Sequence, residues 1–530
     1  MVRSTFFGIQ IGTAGLQTSQ LGLDVTAHNI ANAETKGFTR QRIISTAVDP
    51  YAIIGRALPT GAARVGTGVR VKIHDQIRSE YLDRRFRTEN TTNAYWQTRT
   101  QELRYLESFF DSVNEETSIN FTIARFFGAV KDMSVETVEN APRTQLQDAG
   151  QDLVQSLNLI YDGLIDLQNS QNLAVATKVD DINRIAIELV EINKAIYIFE
   201  VTGHVANDLR DKRNLLIDEL STIIDVEYRE TADPKGNTIF EVSIGGQVLV
   251  KHDERAELAV REEDNVIDGE ERVNVAYWVD KPEGRWIDEI VGSPDLDMTR
   301  IRGGELKALM DMRDGTGDYM LNTTKGIPYY IEMINSLARA LVQEVNEVHR
   351  QGWTNHPVHG SRTGINFFHE YTDISEITAK NIRLSDEVQE SAFNIAASSV
   401  EILRGTDSNG APIYLQQGNN ENMNALYTVF SELKNIVVQG VIIGSLDSYA
   451  TSIRTDVGNT LRMSDSAARN SDTLTLAMEY QRTSISGVSL DEEMTNLIRY
   501  QHAYSGAARV ITAMDDALDR LINGTGRVGL

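Results

Sequence analysis

The sequence predicts an α+β protein, mainly α, in which paired helical coiled-coil termini and a helical stalk are nested around an inserted β-rich domain. Three observations carry that prediction. Apolar residues recur every seven positions at both ends of the chain, in steps of three and four through the interior, and in alternation between Val226 and Val279. The chain has 530 residues, 41% of them hydrophobic, which is enough for packed cores and too long for one ordinary domain.

The first helix is expected from the composition of the N-terminal segment. Between Arg3 and Glu34 the only charged side chain is Asp24. Ile9, Leu16, Leu23 and Ile30 form one seven-spaced stripe, and Phe7, Ala14 and Leu21 a second one. A helix with two apolar stripes and almost no charge has neighbours on more than one side. The C-terminal end repeats the pattern with Leu490, Leu497, Tyr504, Ile511 and Leu518, beside Tyr500, Ala507, Met514 and Leu521. Asn523-Gly524 is a helix stop signal. Residues 1–50 and 480–530 are therefore assigned to an inner assembly domain of paired terminal helices.

The stalk, residues 51–225, 300–352 and 419–479, rests on three further series. These are Ile182, Ile185, Leu189, Ile192 and Ile196; then Ile331, Ile334, Ala338, Leu341, Val345 and Val348; and, more loosely, Leu446, Ile453, Val457, Leu474 and Met478. The inserted domain, residues 226–299, is marked by Phe240, Val242 and Ile244 alternating with Glu241 and Ser243, and by Val273, Val275 and Tyr277. Turn chemistry punctuates it at Asp233 to Asn237 and at Gly245-Gly246. Residues 353–418, rich in Asn, Gly and Ser, are expected to be a small outer module or a loop-rich segment.

Composition excludes several functions. The chain has no cysteine, hence no disulfide, thiolate metal site or Cys nucleophile. A formal charge of -25 speaks against nucleic acid and against an anionic membrane surface as partners. No cleavable signal peptide and no membrane-spanning stretch is read. His369-Glu370 begins like a zincin helix without its second histidine, and His349, His356 and His359 lack a carboxylate at helical spacing. The acidic stretch from Asp264 to Gly269 misses the ligands of a calcium loop. No metal, cofactor or catalytic set is expected.

Certain segments carry a family resemblance. Asn29 to Arg40, NIANAETKGFTR, resembles the N-terminal signature of flagellar rod, hook and hook-associated proteins. It reads as a helix end, with Asn29 and Asn32 capping carbonyls, Gly37 turning the chain and Phe38 pinning the turn. Ser486 to Glu493, SGVSLDEE, followed by Leu497, Tyr500 and Tyr504, resembles the partner signature, with Asp491 and Glu492 suited to the helix N-terminus. Inside the chain, Asn207 to Leu220, Gly303 to Asp314 and Ala338 to His349 are similar to helices of the hook-associated branch. The resemblance implies a structural subunit of the extracellular flagellum at the junction of hook and filament, needed for filament assembly. It also implies export unfolded by the flagellar type III system with a dedicated chaperone. Its partners would be copies of itself in a ring, hook protein, and the next hook-associated protein. Ile9, Leu16, Leu23, Asn29, Ile30, Asn32, Gly37, Phe38, Leu490, Leu497, Tyr500, Tyr504, Ile511 and Leu518 would then be the assembly interface. The alternatives are hook protein itself and a secreted hydrolase or adhesin. Because a lone pair of thin helices buries little, both ends are expected to be disordered in the free monomer and to become helical on assembly.

Overall fold

The computed structural model describes residues 6–48, 66, 68–110, 118–232, 238–265, 272–280, 292–318, 324–406, 412–416, 418–431, 436–438 and 441–524. The expected turn at residues 233–237 and residues 266–269 of the acidic stretch lie outside them.

The chain begins with helix α1 (Phe6–Ala31) and an antiparallel hairpin, β1 (Gln41–Ala47) and β2 (Val69–Gln76). Three helices follow: α2 (Glu80–Phe110), α3 (Ile119–Val135) and α4 (Asn140–Val201). Helix α4 has 62 residues, a length of about 93 Å at 1.5 Å per residue. Its buried side chains step by three and four from Leu146 to Ile196, so one stripe faces inward over the whole length.

Helix α5 (Asn207–Ile223) leads into the β-rich region. Strands β3 (Val226–Ala232), β4 (Thr238–Ile244), β5 (Gln247–Lys251) and β6 (Glu254–Arg255) form a four-stranded antiparallel sheet in sequence order. Strands β7 (Leu258–Asp264) and β8 (Arg272–Trp278) pair separately. Helices α6 (Glu305–Asp314) and α7 (Ile327–His349), the short α8 (Asp386–Glu390), strands β9 (Leu403–Thr406) and β10 (Pro412–Leu415), and helix α9 (Glu421–Ser431) follow. The small hairpin β11 (Ile436–Val438) and β12 (Val441–Ile443) precedes the two long closing helices, α10 (Leu446–Ser486) and α11 (Leu490–Gly524). The protein is mainly α with a β-containing region, as the periodicities predict.

Two hydrophobic cores share α4. One holds Leu103, Phe126, Phe127, Leu153, Tyr330, Leu337, Phe367, Phe368 and Tyr449, and joins α2, α3, α7, α9 and α10 to the first half of α4. The other holds Val179, Ile182, Ile185 and Leu189 of α4, with Leu220, Val242, Leu249 and Trp278 from α5 and the sheets. Between the cores α4 carries a polar belt. Gln168 Nε2 donates to Arg313 O at 2.9 Å, Asn265 Nδ2 donates to Gln168 Oε1 at 2.9 Å, and Arg313 Nη1 donates to Asn172 Oδ1 at 3.0 Å.

The described residues of 353–418 contain little regular structure, yet Ile365, Phe367, Phe368, Ile377, Leu384 and Ile395 lie in the first core. Helix asparagines make that burial possible by satisfying the irregular backbone. Asn346 Oδ1 accepts from the N–H groups of Phe367 and Phe368, its Nδ2 donates to Phe368 O, and Asn335 Oδ1 accepts from Ala379 N–H.

Candidate assembly interface

Both ends are helical in the single chain, contrary to the expected disorder, because α1 and α11 supply each other with a packing partner; they pack in antiparallel fashion, and glycine governs how closely. A Cβ added to Gly8 would lie 2.7 Å from Met514 Sδ, one on Gly12 2.7 Å from Ile511 Cγ1, and one on Gly22 2.6 Å from the Tyr500 ring. At Gly15 it would make an ordinary 3.6 Å contact with Ala507 Cβ. Gly8, Gly15 and Gly22 are spaced by seven, as are Met514, Ala507 and Tyr500 in the opposite direction. Large α11 side chains thus seat on bare α1 backbone. The stripe of glycines escapes a sequence reading that counts large apolar residues, although its seven-residue spacing is a signal.

The next heptad position is polar on both helices. Asn29 is buried, and its side-chain amide pairs with both backbone groups of Gln41: Oδ1 accepts from Gln41 N–H at 3.0 Å and Nδ2 donates to Gln41 O at 2.9 Å. The same Nδ2 lies 3.1 Å from Glu493 Oε2. Glu493, 2% exposed, also accepts from Arg40 Nε at 2.7 Å, while Glu492 accepts from Arg40 Nη1 at 2.5 Å. Desolvation would lower the Arg40 pKa, but the hydrogen bonds and charges of Glu492 and Glu493 outweigh it and leave it raised. Asn29 is therefore an interior helix residue joining α1, β1 and α11, and not the cap its motif suggests. Asn32 does cap, donating from Nδ2 to His28 O at 3.0 Å. Gly37 turns the chain at φ +81°, and Phe38 meets the His28 ring edge-on.

The remaining expected interface residues fall into two groups. Ile9, Leu16, Leu23 and Ile30 are half-buried, as are Leu497, Tyr500, Ile511 and Leu518. Leu490 and Tyr504 are exposed. Leu490, Met494 and Ile498, spaced by four, form an apolar stripe on the outside of α11 that is 52%, 54% and 51% exposed. Val510, Leu521 and Ile522 continue the apolar exposure towards the end of that helix.

Helix α5 holds the turn and the hairpin that follow α1. Asp211 Oδ2 accepts from Thr39 N–H at 2.9 Å, Asp208 Oδ1 from Gln41 Nε2 at 2.7 Å, and Asn207 O from Gln76 Nε2 at 3.0 Å. Burial pushes the Asp211 carboxyl pKa up, against the opposing hydrogen bonds from Thr39 and the nearby Arg78. Two turns further on, Asp218 holds two arginines, Arg87 Nε at 2.7 Å and Arg482 Nη1 at 2.6 Å. Asp218 so ties α2, α5 and α10 together beneath a groove of about 1060 Å³ lined in part by Gly37, Arg78, Asp218, Thr475, Arg482 and Gly487. The segment Asn207 to Leu220 thus has a structural role that its charge pattern alone does not reveal.

His349, the last residue of α7, is fully buried. His349 Nδ1 donates to Ile365 O at 2.7 Å and Nε2 accepts from Ala396 N–H at 2.9 Å, so the buried ring is neutral. Among the described residues no group of three or more His, Cys, Asp or Glu is placed to hold a metal ion, and no helix is long and apolar enough to cross a membrane.

Comparison with known proteins identifies three matching family models. The model described as Flagellar hook-associated protein FlgK helical domain matches residues 103–368. Those described as Flagella basal body rod protein and as Flagellar basal body rod FlgEFG protein C-terminal match residues 9–39 and 479–524. The Flagellar hook-associated protein 1 of Bacillus subtilis is 28% identical over 533 residues, covering 99% of each chain. The protein of the same name from Escherichia coli is 22% identical, covering 96% of this chain and 98% of its own. A solved structure, that of the flagellar hook junction protein FlgK from Burkholderia pseudomallei, shares the fold with a TM-score of 0.55 at 14% identity. That comparison covers 77% of this chain and 100% of the other.

Proposed function

Taking as premise that the chain belongs to the flagellar hook-associated protein family, whose helical-domain model matches residues 103–368, we propose that it is a structural subunit of the junction between hook and filament. The observation that carries this reading is the exposed apolar stripe Leu490, Met494 and Ile498 on the outer side of the paired terminal helices. A chain of net charge -25 repels its own copies over most of its surface, so subunits are expected to meet where charge is sparse. The first helix, with Asp24 as its single charged side chain, and the outer side of α11 offer such a surface.

In this reading copies form a ring through α1 and α11, with hook protein on one side and the next hook-associated protein on the other. The remaining domains face away from the axis. The subunit leaves the cell unfolded through the flagellar type III system, escorted by a chaperone, and works outside the cell by shape and contact without catalysis. The hook-protein alternative is disfavoured because the helical-domain match extends over half of the chain.

The test is the pair Met494→Asp and Ile498→Asp in one chain. Both side chains are exposed in the free subunit, so its thermal unfolding should be unchanged. Cells making only this variant should carry hooks without filaments and release filament subunits into the medium. Filaments of normal number and length on such cells would refute the reading.

A further inference from the structure

The seam between α1 and α11 is ambiguous in its own terms. Gly8, Gly15 and Gly22 present the same bare backbone at each heptad, and Met514, Ala507 and Tyr500 sit over them in turn. Moving α11 by one heptad, about 10 Å at 1.5 Å per residue, would put Ala507 over Gly8 and Tyr500 over Gly15. A small and a large side chain would again lie over glycines. Apolar packing alone therefore distinguishes the two registers weakly.

The polar pair at the end of the seam breaks the tie. In the observed register Glu493 is held by Asn29 Nδ2 at 3.1 Å and Arg40 Nε at 2.7 Å, with 2% of its surface exposed. In the shifted register it would lie over Gly22, deprived of both donors. A carboxylate buried without partners is strongly disfavoured. Asn29 would at the same time lose the acceptor beyond Gln41. We infer that Asn29 and Glu493, with Arg40, are the specificity-determining residues that set the register of the terminal helices. A single buried polar contact in an apolar helical seam is a known way of choosing register at some cost in stability. The inference stands apart from the junction reading, because it concerns how one chain pairs its own ends.

The chain has no cysteine, so engineered pairs report register cleanly. The 3.6 Å between a Cβ on Gly15 and Ala507 Cβ suits a disulfide, making Gly15→Cys with Ala507→Cys the reporter of the observed register. Gly8→Cys with Ala507→Cys reports the shifted one. Both pairs are placed in the full-length chain, alone and together with Asn29→Leu and Glu493→Leu, and oxidised at high dilution. Intramolecular disulfide is then quantified by peptide mapping.

In the otherwise unaltered chain the first pair should close and the second should not. With the two leucines, closure of the first should fall roughly tenfold, the ratio expected from losing a charge-assisted hydrogen bond, and the second should appear. Glu493→Gln, whose amide oxygen still accepts from Asn29, should keep the observed register. An undiminished first disulfide in the leucine background would overturn the inference, because the connection at residues 487–489 would then be setting the register. Failure of the first disulfide in the otherwise unaltered chain, loss of both in the leucine background, or a shift caused by Glu493→Gln would overturn it as well.

Discussion

Replacing Gly22 with alanine adds one methyl group where α1 passes beneath Tyr500. That carbon would lie 2.6 Å from ring atoms Cδ1 and Cε1 and 2.8 Å from Cγ. Carbon atoms pack at about 3.5–4.0 Å, so the ring or the helix has to move by about 1 Å. Because Cγ is close to the root of the side chain, a small swing of the ring tip does not relieve the contact. Overpacking of this kind costs about 1–3 kcal/mol, whereas alanine in place of glycine returns about 1 kcal/mol of helix propensity. The net effect on α1 is expected to be a loss of up to about 2 kcal/mol. Gly15→Ala provides the contrast, since its methyl would touch Ala507 Cβ at 3.6 Å and the propensity gain is kept. Hydrogen exchange of the α1 amides in the full-length protein reads both changes, with about 1.4 kcal/mol corresponding to a tenfold change in opening. Exchange should accelerate in Gly22→Ala and slow about fivefold in Gly15→Ala, which corresponds to the gain of about 1 kcal/mol. Equal slowing in the two variants would show that α1 does not lie under Tyr500, and the close-packed seam would be refuted.

Three further outcomes are expected. Burial lowers the His349 pKa from 6.5 to about 4, so the neutral ring favours the folded state above pH 6.5 and this contribution is lost as pH falls from 6.5 towards 4. It amounts to about 3 kcal/mol at most, and urea midpoints should fall more steeply over that range in the native chain than in His349→Gln. Asp218→Asn leaves the buried Arg87 and the largely buried Arg482 without their carboxylate and should cost about 3–5 kcal/mol in chemical denaturation. Gly506→Ala, on a part of α11 where an added Cβ meets nothing within 4 Å, should stabilise that helix by up to about 1 kcal/mol, seen as slower exchange of its amides.

Much of this architecture was legible in the sequence, and the rest was hidden for physical reasons. The seven-residue spacing at both ends and the alternation around Phe240, Val242 and Ile244 correspond to α1, α11 and β4. These are local regularities, set by the geometry of one element. What stayed hidden depends on residues far apart in the chain. Asn29 suggests a cap until Gln41 and Glu493 are placed beside it, and Glu493 suggests one more first-turn acid until Arg40 is seen to reach it. The series from Ile182 to Ile196 is the second half of a helix that begins at Asn140, and Gly150 and Gly163 obscure its continuity. Those glycines occur because Phe367 and Phe109 lie against the helix there. Residues 353–418 are loop-like in composition and still contribute to a core, because asparagines on α7 supply backbone partners that composition cannot reveal.

The shared helix α4 also bears on how the subunit carries load. A rotating appendage subjects its parts to torque, and a single uninterrupted rod threaded through both cores makes them one beam, so neither can twist freely of the other. Bending would concentrate where side-chain interlocking is thinnest, at the belt of Gln168, Gln171 and Asn172, whose hydrogen bonds can stretch and re-form more readily than a packed apolar seam can open.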